Sequence, residues 1–398
     1  MPGFEIFGEE ERKEVQDVLD SGILMRYGFD NMRNGHWKAK ELESAIKDRF
    51  DVNHAQLTSS GTTALSTAMA VMGIGAGDEV IMPTFTFVAS FEAIIAAGAT
   101  PVLVDVDTTL CLDPKAVEAA ITPNTKCVMP VHMCGSMAEM DELMAICKKH
   151  GILLLEDACQ VIGGTYNGKH LGTIGDAGTF SFDFVKTITC GEGGVVMTND
   201  YNYAKHADHY TDHGHDHKGN DRGAEEHPFL GYNYRISELH AAVGLGQIRK
   251  LDQILSIQRK NHAVIKAALS EVEGITFRRI PDPQGNSCSF LSFFLPTEDL
   301  TRKAHAQLLK NGLGGNFYWY DNNWHYIKKW SHLKNATSLF PLNPALKDAI
   351  NNYDFDQFAQ SDAIMGRTIS SLINLTWTKE QAEERASKMA ETIKAILA

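Results

Sequence analysis

Along the first 200 residues the apolar positions alternate between two rhythms. Apolar residues three and four apart predict helices over 8–20, 38–50, 62–72, 89–97, 114–121 and 137–150. Between them, short apolar runs predict strands over 79–82, 100–104, 127–131 and 152–155, with further β-rich runs at 178–184 and 195–198. Val102-Leu-Val104 and Ile152-Leu-Leu-Leu155 are apolar at every position, as a parallel sheet covered on both faces requires. Such alternation predicts βαβ crossovers in a doubly wound α/β domain, whose ligands bind beyond the carboxyl ends of the strands. Residues 201–231 are polar and rich in Gly and His, which predicts a long loop. From Ile236 to about Glu273 the helical rhythm runs on, as a spine between domains. The expected division is a large α/β domain over 1–250 and a small α+β domain over 251–398. The latter has strands over 275–279 and 290–295 and helices over 300–311 and 379–397.

Composition narrows the class. The 398 residues suit two domains better than one core. A formal charge of -13 argues against sequence-independent binding to nucleic acid or to an anionic membrane. No apolar run approaches the roughly 20 residues of a membrane span. The opening Met1-Pro-Gly-Phe-Glu-Ile-Phe7 lacks the basic and then apolar pattern of a signal peptide. The seven Cys are odd in number and scattered, so free thiols in a reducing compartment fit better than a disulfide framework. The expectation is a cytoplasmic protein of enzyme size.

Four places carry candidate chemistry. Lys186 follows an aromatic run, with Phe180, Phe182 and Phe184 expected on one face, and precedes the glycines of Gly191-Glu-Gly-Gly194. It suits a Schiff-base nucleophile, or equally a strand-end lysine reaching water. Thr58-Ser-Ser-Gly-Thr-Thr63 stands before an Ala-rich helix, as a phosphate site or as a plain helix cap. Glu156-Asp157 ends an apolar strand, where an acid pairs with a cation, holds a metal or faces a ring nitrogen. Phe87, in Pro83-Thr-Phe-Thr-Phe87, offers a face to a flat ring or belongs to the core. Two other signals are discounted. Gly163-Gly-Thr-Tyr-Asn-Gly-Lys-His170 has His where a nucleotide-phosphate loop needs Ser or Thr. The histidines at 206, 209, 213, 215, 217 and 227 fit no closed four-ligand spacing, so no metal site is assigned. Together, a phosphate cradle, a ring platform, an acid and a Schiff-base lysine are what pyridoxal 5′-phosphate (PLP) requires.

At this point the sequence resembles the DegT/DnrJ/EryC1/StrS sugar aminotransferases of PLP fold type I. The matching pieces are Ser60-Gly-Thr-Thr63, Gly77-Asp-Glu-Val-Ile-Met-Pro83, Glu156-Asp-Ala-Cys-Gln160, Phe180-Ser-Phe-Asp-Phe-Val-Lys186, Gly191-Glu-Gly-Gly194 and Gly231-Tyr-Asn-Tyr-Arg-Ile-Ser-Glu238. The resemblance implies that Lys186 binds the cofactor covalently and moves a proton, and that Asp157 pairs with the pyridinium. It implies Gln160 beside the ring hydroxyl, Phe87 stacked on the ring, and Thr62, Thr63 and Ser181 at the phosphate. Asn233 would reach the phosphate of a neighbouring subunit, which implies a homodimer with shared sites. A dehydratase branch carries His where this chain has Lys186, so Lys favours amine transfer. The stretches Gly22–Phe29 and Gly35–Lys38, with the His-rich loop, are similar to family members that aminate an octulosonate aldehyde for lipopolysaccharide, with L-glutamate as donor. Most members act on nucleotide-linked keto sugars. A sugar acid needs a cation for its carboxylate, and Arg26, Lys38, Arg235 or a loop histidine such as His213 or His215 would supply one.

Overall fold

The computed structural model describes residues 3–219, 221–339 and 341–398. Its centre is a seven-stranded sheet made of β1 (His54–Thr58), β2 (Glu79–Pro83), β3 (Thr100–Val104), β4 (Thr125–Val128) and β5 (Leu153–Asp157), with two later strands. A short hairpin, β6 (Thr165–Tyr166) and β7 (Lys169–His170), intervenes before β8 (Ala177–Ser181) and β9 (Gly194–Thr198). The spatial order is β1-β9-β8-β5-β4-β2-β3. Pairing is parallel from β3 through β8, while β9 runs antiparallel to both its neighbours. The β8 and β9 strands are buried at every position, which accounts for their lack of polar alternation. A second, wholly antiparallel sheet contains β10 (Thr276–Phe277), β11 (Phe290–Phe294), β12 (Asn316–Phe317) and β13 (Thr368–Leu372), in the order β10-β11-β13-β12. Helix Lys379–Leu397 packs beside it. Among the described residues no helix is long and apolar enough to cross a membrane.

Three expectations change. The stretch 201–231 is not all loop, because Tyr201–Tyr210 is a helix. The Asp200 carboxylate caps it, accepting from Asn202 N–H (2.7 Å) and Tyr203 N–H (3.1 Å). The spine is two helices, Glu238–Arg249 and Leu251–Ser270. The break falls at Lys250, whose ammonium turns back to Glu11 (2.8 Å) and the Ile6 carbonyl (3.0 Å). Finally, β8 stops at Ser181. Phe180 and Phe182 are buried, but Phe184 is exposed and stacks on Phe4 at 4.4 Å. The chain turns at Asp183, whose carbonyl accepts the Lys186 N–H (3.0 Å) and whose carboxylate accepts the Val185 N–H (3.1 Å).

Candidate active site

That turn carries Lys186 off the end of β8 into a cavity of about 440 Å³. Neighbouring strand ends supply the other walls, as expected for an open α/β sheet. Alternation along β5 sends two consecutive acids in opposite directions. Glu156 is fully buried, and its carboxylate accepts N–H groups from Gly172 (2.8 Å), Ile174 (2.6 Å) and Gly175 (2.8 Å). It therefore fastens the loop before β8. Asp157 lines the cavity and is nearly buried, held by the Ser90 hydroxyl (2.7 Å) and the Cys159 N–H (3.2 Å). Gln160 also lines it. Its side-chain oxygen accepts the Cys134 N–H (3.1 Å), which leaves the amide NH2 as the donor free to face inward.

At the opposite end stands the start of helix Gly61–Val71. Ser60 caps it by accepting the Thr63 N–H (3.1 Å), and the Thr63 hydroxyl accepts the Ser60 N–H (2.9 Å). The Gly61 and Thr62 amides precede the first intrahelical bond, from Ala64 N–H to the Ser60 carbonyl (3.0 Å), so they remain available to an anion. A Cβ on Gly61 would lie 2.7 Å from Ser181 Cβ and 3.0 Å from its hydroxyl, so this cradle is shaped for backbone.

Of the residues singled out in the sequence, the structure brings Thr62, Phe87, Asp157, Gln160, Ser181 and Lys186 to one cavity. Thr63 is outside its lining, with its hydroxyl committed to the cap. Asn233 is exposed on the loop after the His-rich stretch and does not enter the cavity of its own chain. Arg26 and Lys38 correct the expectation of a free cation. Arg26 is buried in an ion pair with Glu43 (2.6 Å), and Lys38 is buried between Glu14 (2.5 Å) and Asp17 (2.7 Å). Arg235 is likewise paired with the buried Asp212. His213 is exposed, but His215 also departs from the expectation: it lies against Glu225 (2.8 Å) and packs on His227 with ring centroids 4.1 Å apart, and burial lowers its pKa.

The sequence reading missed the far wall. Phe290, Phe317, Trp319, Trp324 and His325 all line the cavity. Trp319 stacks on Phe317 (4.6 Å, 4° between planes) and packs on His325 (4.4 Å). The wall is hung on the loop before helix Val88–Ala96. Thr86 N–H donates to the His325 carbonyl (3.0 Å) and Val88 N–H to that of Trp324 (2.9 Å). Burial, and then the Lys186 charge, push His325 down to about 3, so its ring is neutral. Burial likewise pushes the Cys159 thiol well above its ordinary range. The signal for the wall was the aromatic-rich run Asn316-Phe-Tyr-Trp-Tyr-Asp-Asn-Asn-Trp-His-Tyr326, which has no helical or strand period.

The model of the DegT/DnrJ/EryC1/StrS aminotransferase family matches residues 5–350. The chain is similar to the GDP-perosamine synthase of Caulobacter vibrioides, with 43% identity over 221 residues, or 55% of this chain and 58% of that protein. It is 39% identical over 259 residues to the L-glutamine:2-deoxy-scyllo-inosose aminotransferase of Streptoalloteichus tenebrarius, or 60% of this chain and 61% of the relative. The chain thus spans about three fifths of the length of these curated relatives. Among solved structures, 3-amino-5-hydroxybenzoic acid synthase superposes with a TM-score of 0.80 at 30% identity, covering 98% of this chain and 97% of that one. The fold is that of the PLP-dependent transferases of fold type I. The cofactor is pyridoxal 5′-phosphate, and the residues present fit it: an amine, a carboxylate for the ring nitrogen, an amide donor and a backbone anion cradle in one cavity. By motif, fold and cavity, the chain belongs to the DegT/DnrJ/EryC1/StrS aminotransferase family.

Proposed function

We propose that the protein is a PLP-dependent aminotransferase that moves the amino group of L-glutamate to the carbonyl of a sugar. The observation that carries this reading is the convergence of Lys186, Asp157 and the Gly61–Ser181 cradle on one cavity. When bound, PLP supplies the electron sink for the carbanion. Lys186 would hold the cofactor covalently at rest, and its freed amine would carry a proton between the substrate carbon and the cofactor carbon in a 1,3-shift. Asp157 keeps the ring nitrogen charged. The Gly61 and Thr62 amides, with Ser181, hold the phosphate at the helix start. The aromatic wall excludes water and offers apolar faces to a sugar ring.

For the sugar we retain 3,8-dideoxy-8-oxo-manno-octulosonate, aminated at carbon 8 for lipopolysaccharide, with a 3- or 4-keto nucleotide-linked sugar as the second reading. The likeness to a GDP-perosamine synthase favours the second. The carboxylate of a sugar acid needs a cation, yet Lys186 is the one cationic side chain among the described residues that line the cavity. With Arg26, Lys38 and Arg235 paired internally and His215 set against Glu225 (2.8 Å), His213 remains, on a loop that a second subunit would bring near. Exposed Leu230 and Tyr232 beside Asn233 suit a homodimer that shares its sites. A division near residue 250 suits a separate small domain, since a core running from Ile265 to Ile393 surrounds the second sheet. We place the protein in the cytoplasm.

The test is amino transfer from L-glutamate, and from the L-glutamine named for the inosose aminotransferase relative, to the octulosonate aldehyde and to 4-keto nucleotide sugars. Turnover of either sugar class supports the reading and chooses between its branches. Failure with every sugar, in protein that binds PLP, would leave a non-catalytic PLP-binding regulator in its place.

A further inference from the structure

Asp157 does not face the cavity alone. Its Oδ2 accepts the Ser90 hydroxyl at 2.7 Å, and Ser90 Oγ lies 2.7 Å from Thr86 Oγ1. Both hydroxyl residues are buried, so each depends on these partners for its hydrogen bonds. The direction of the chain follows from the chemistry. An ionised carboxylate only accepts, so the Ser90 proton points to Asp157. Ser90 Oγ must then accept the Thr86 proton. The alternative acceptor for Thr86, the Phe87 carbonyl, is farther away at 3.3 Å. A donor that is itself hydrogen-bonded is polarised and donates more strongly. The remaining close partners of the carboxylate are the Cys159 N–H on Oδ1 (3.2 Å) and the neighbouring thiol, which burial keeps protonated. Thr86 is in turn fixed by its own N–H on the His325 carbonyl (3.0 Å), so the relay is anchored to the aromatic wall.

We infer that Ser90, polarised by Thr86, is a positioning residue that stabilises the charged form of Asp157 and so keeps the shared proton on the cofactor's ring nitrogen. This rests on the reading of Asp157 as the ring-nitrogen partner. Without the Ser90 donor, the carboxylate becomes the better base and draws the proton to itself. The neutral ring is then a weaker electron sink, and the cofactor's imine becomes more basic.

The experiment compares PLP-loaded wild type with Ser90→Ala, Ser90→Thr, Thr86→Val and Asp157→Asn. The readouts are the pH midpoint of the visible cofactor band, the PLP dissociation constant and the rate of the half-reaction with L-glutamate. A hydrogen bond to a charged group corresponds to roughly a 10- to 100-fold effect. Ser90→Ala should therefore raise the midpoint by about one pH unit and slow the half-reaction about 10- to 100-fold, with PLP still bound. Thr86→Val should shift it less in the same direction, and Ser90→Thr should restore it. If Asp157→Asn moves the band while Ser90→Ala and Thr86→Val both titrate as wild type, the relay is overturned and the reading of Asp157 stands. If Asp157→Asn leaves band and rate unchanged, that reading itself falls. Should Ser90→Ala fail to fold, Thr86→Val decides the relay by the same band shift.

Discussion

Gly61→Ala isolates the anion cradle from the rest of the chemistry. The added methyl carbon would sit 2.7 Å from Ser181 Cβ, 3.0 Å from Ser181 Oγ and 3.4 Å from Cys159 Sγ, where ordinary contacts are 3.4–4 Å. Either the helix start or the end of β8 must therefore move by several tenths of an ångström. Overpacking of this kind costs about 1–3 kcal/mol of stability. The consequence for the cofactor is larger than for the fold, because the displaced groups are the Gly61 and Thr62 amides and the Ser181 hydroxyl. Losing one charge-assisted hydrogen bond to the phosphate removes about 1.5–3 kcal/mol, or roughly 10- to 100-fold in the PLP dissociation constant. Equilibrium dialysis with PLP, paired with urea unfolding of the cofactor-free protein, separates the two effects. Gly314→Ala is the control, since a methyl group there meets nothing within 4 Å. It should leave PLP affinity unchanged. A folded Gly61→Ala protein with wild-type PLP affinity would refute the placement of the phosphate at this helix start.

Two further outcomes follow from the geometry. Trp324 lines the cavity but is 64% exposed, so Trp324→Ala should cost the fold little while raising the KM for the sugar about tenfold, the loss of one aromatic contact. The half-reaction with L-glutamate should not change, and steady-state kinetics set against single-turnover rates with the donor distinguish the two. In the His-rich loop, His217 lies between Asp208 (2.7 Å) and Asp212 (2.9 Å). Burial opposes its charge, but those two hydrogen bonds overcome it and lift the ring to about 9. Because the folded value exceeds the unfolded one of about 6.5, the stabilisation is complete below pH 6.5 and is lost as pH rises through 9. Between those limits wild type should lose about 1–2 kcal/mol more than His217→Asn in urea unfolding, after allowance for solvent screening of the half-buried ring. Parallel curves for the two proteins would contradict the clamp.

Much of this site was legible in the sequence because it depends on local pattern. An acid ending an apolar strand, a lysine after an aromatic one and hydroxyl residues before an Ala-rich helix all declare their place within a few residues. The order of the parallel strands did not, because pairing joins segments far apart in sequence. Partners were also hidden. Arg26 finds Glu43, Arg235 finds Asp212, and Lys38 finds Glu14, so apparent free cations became internal ion pairs. The aromatic wall escaped because residues 316–326 follow the shape of the cavity rather than a regular period. The helix Tyr201–Tyr210 escaped because its polar His and Tyr residues resemble the loop that follows.

The central claim is that Lys186 is the residue to which the cofactor is bound. Borohydride reduction of the PLP-loaded protein, followed by proteolysis and mass spectrometry, should place a single pyridoxyl group on the peptide containing Lys186. Lys186→Ala should show no such adduct and no turnover. A pyridoxyl group on another lysine, or repeated turnover by Lys186→Ala, would contradict the account.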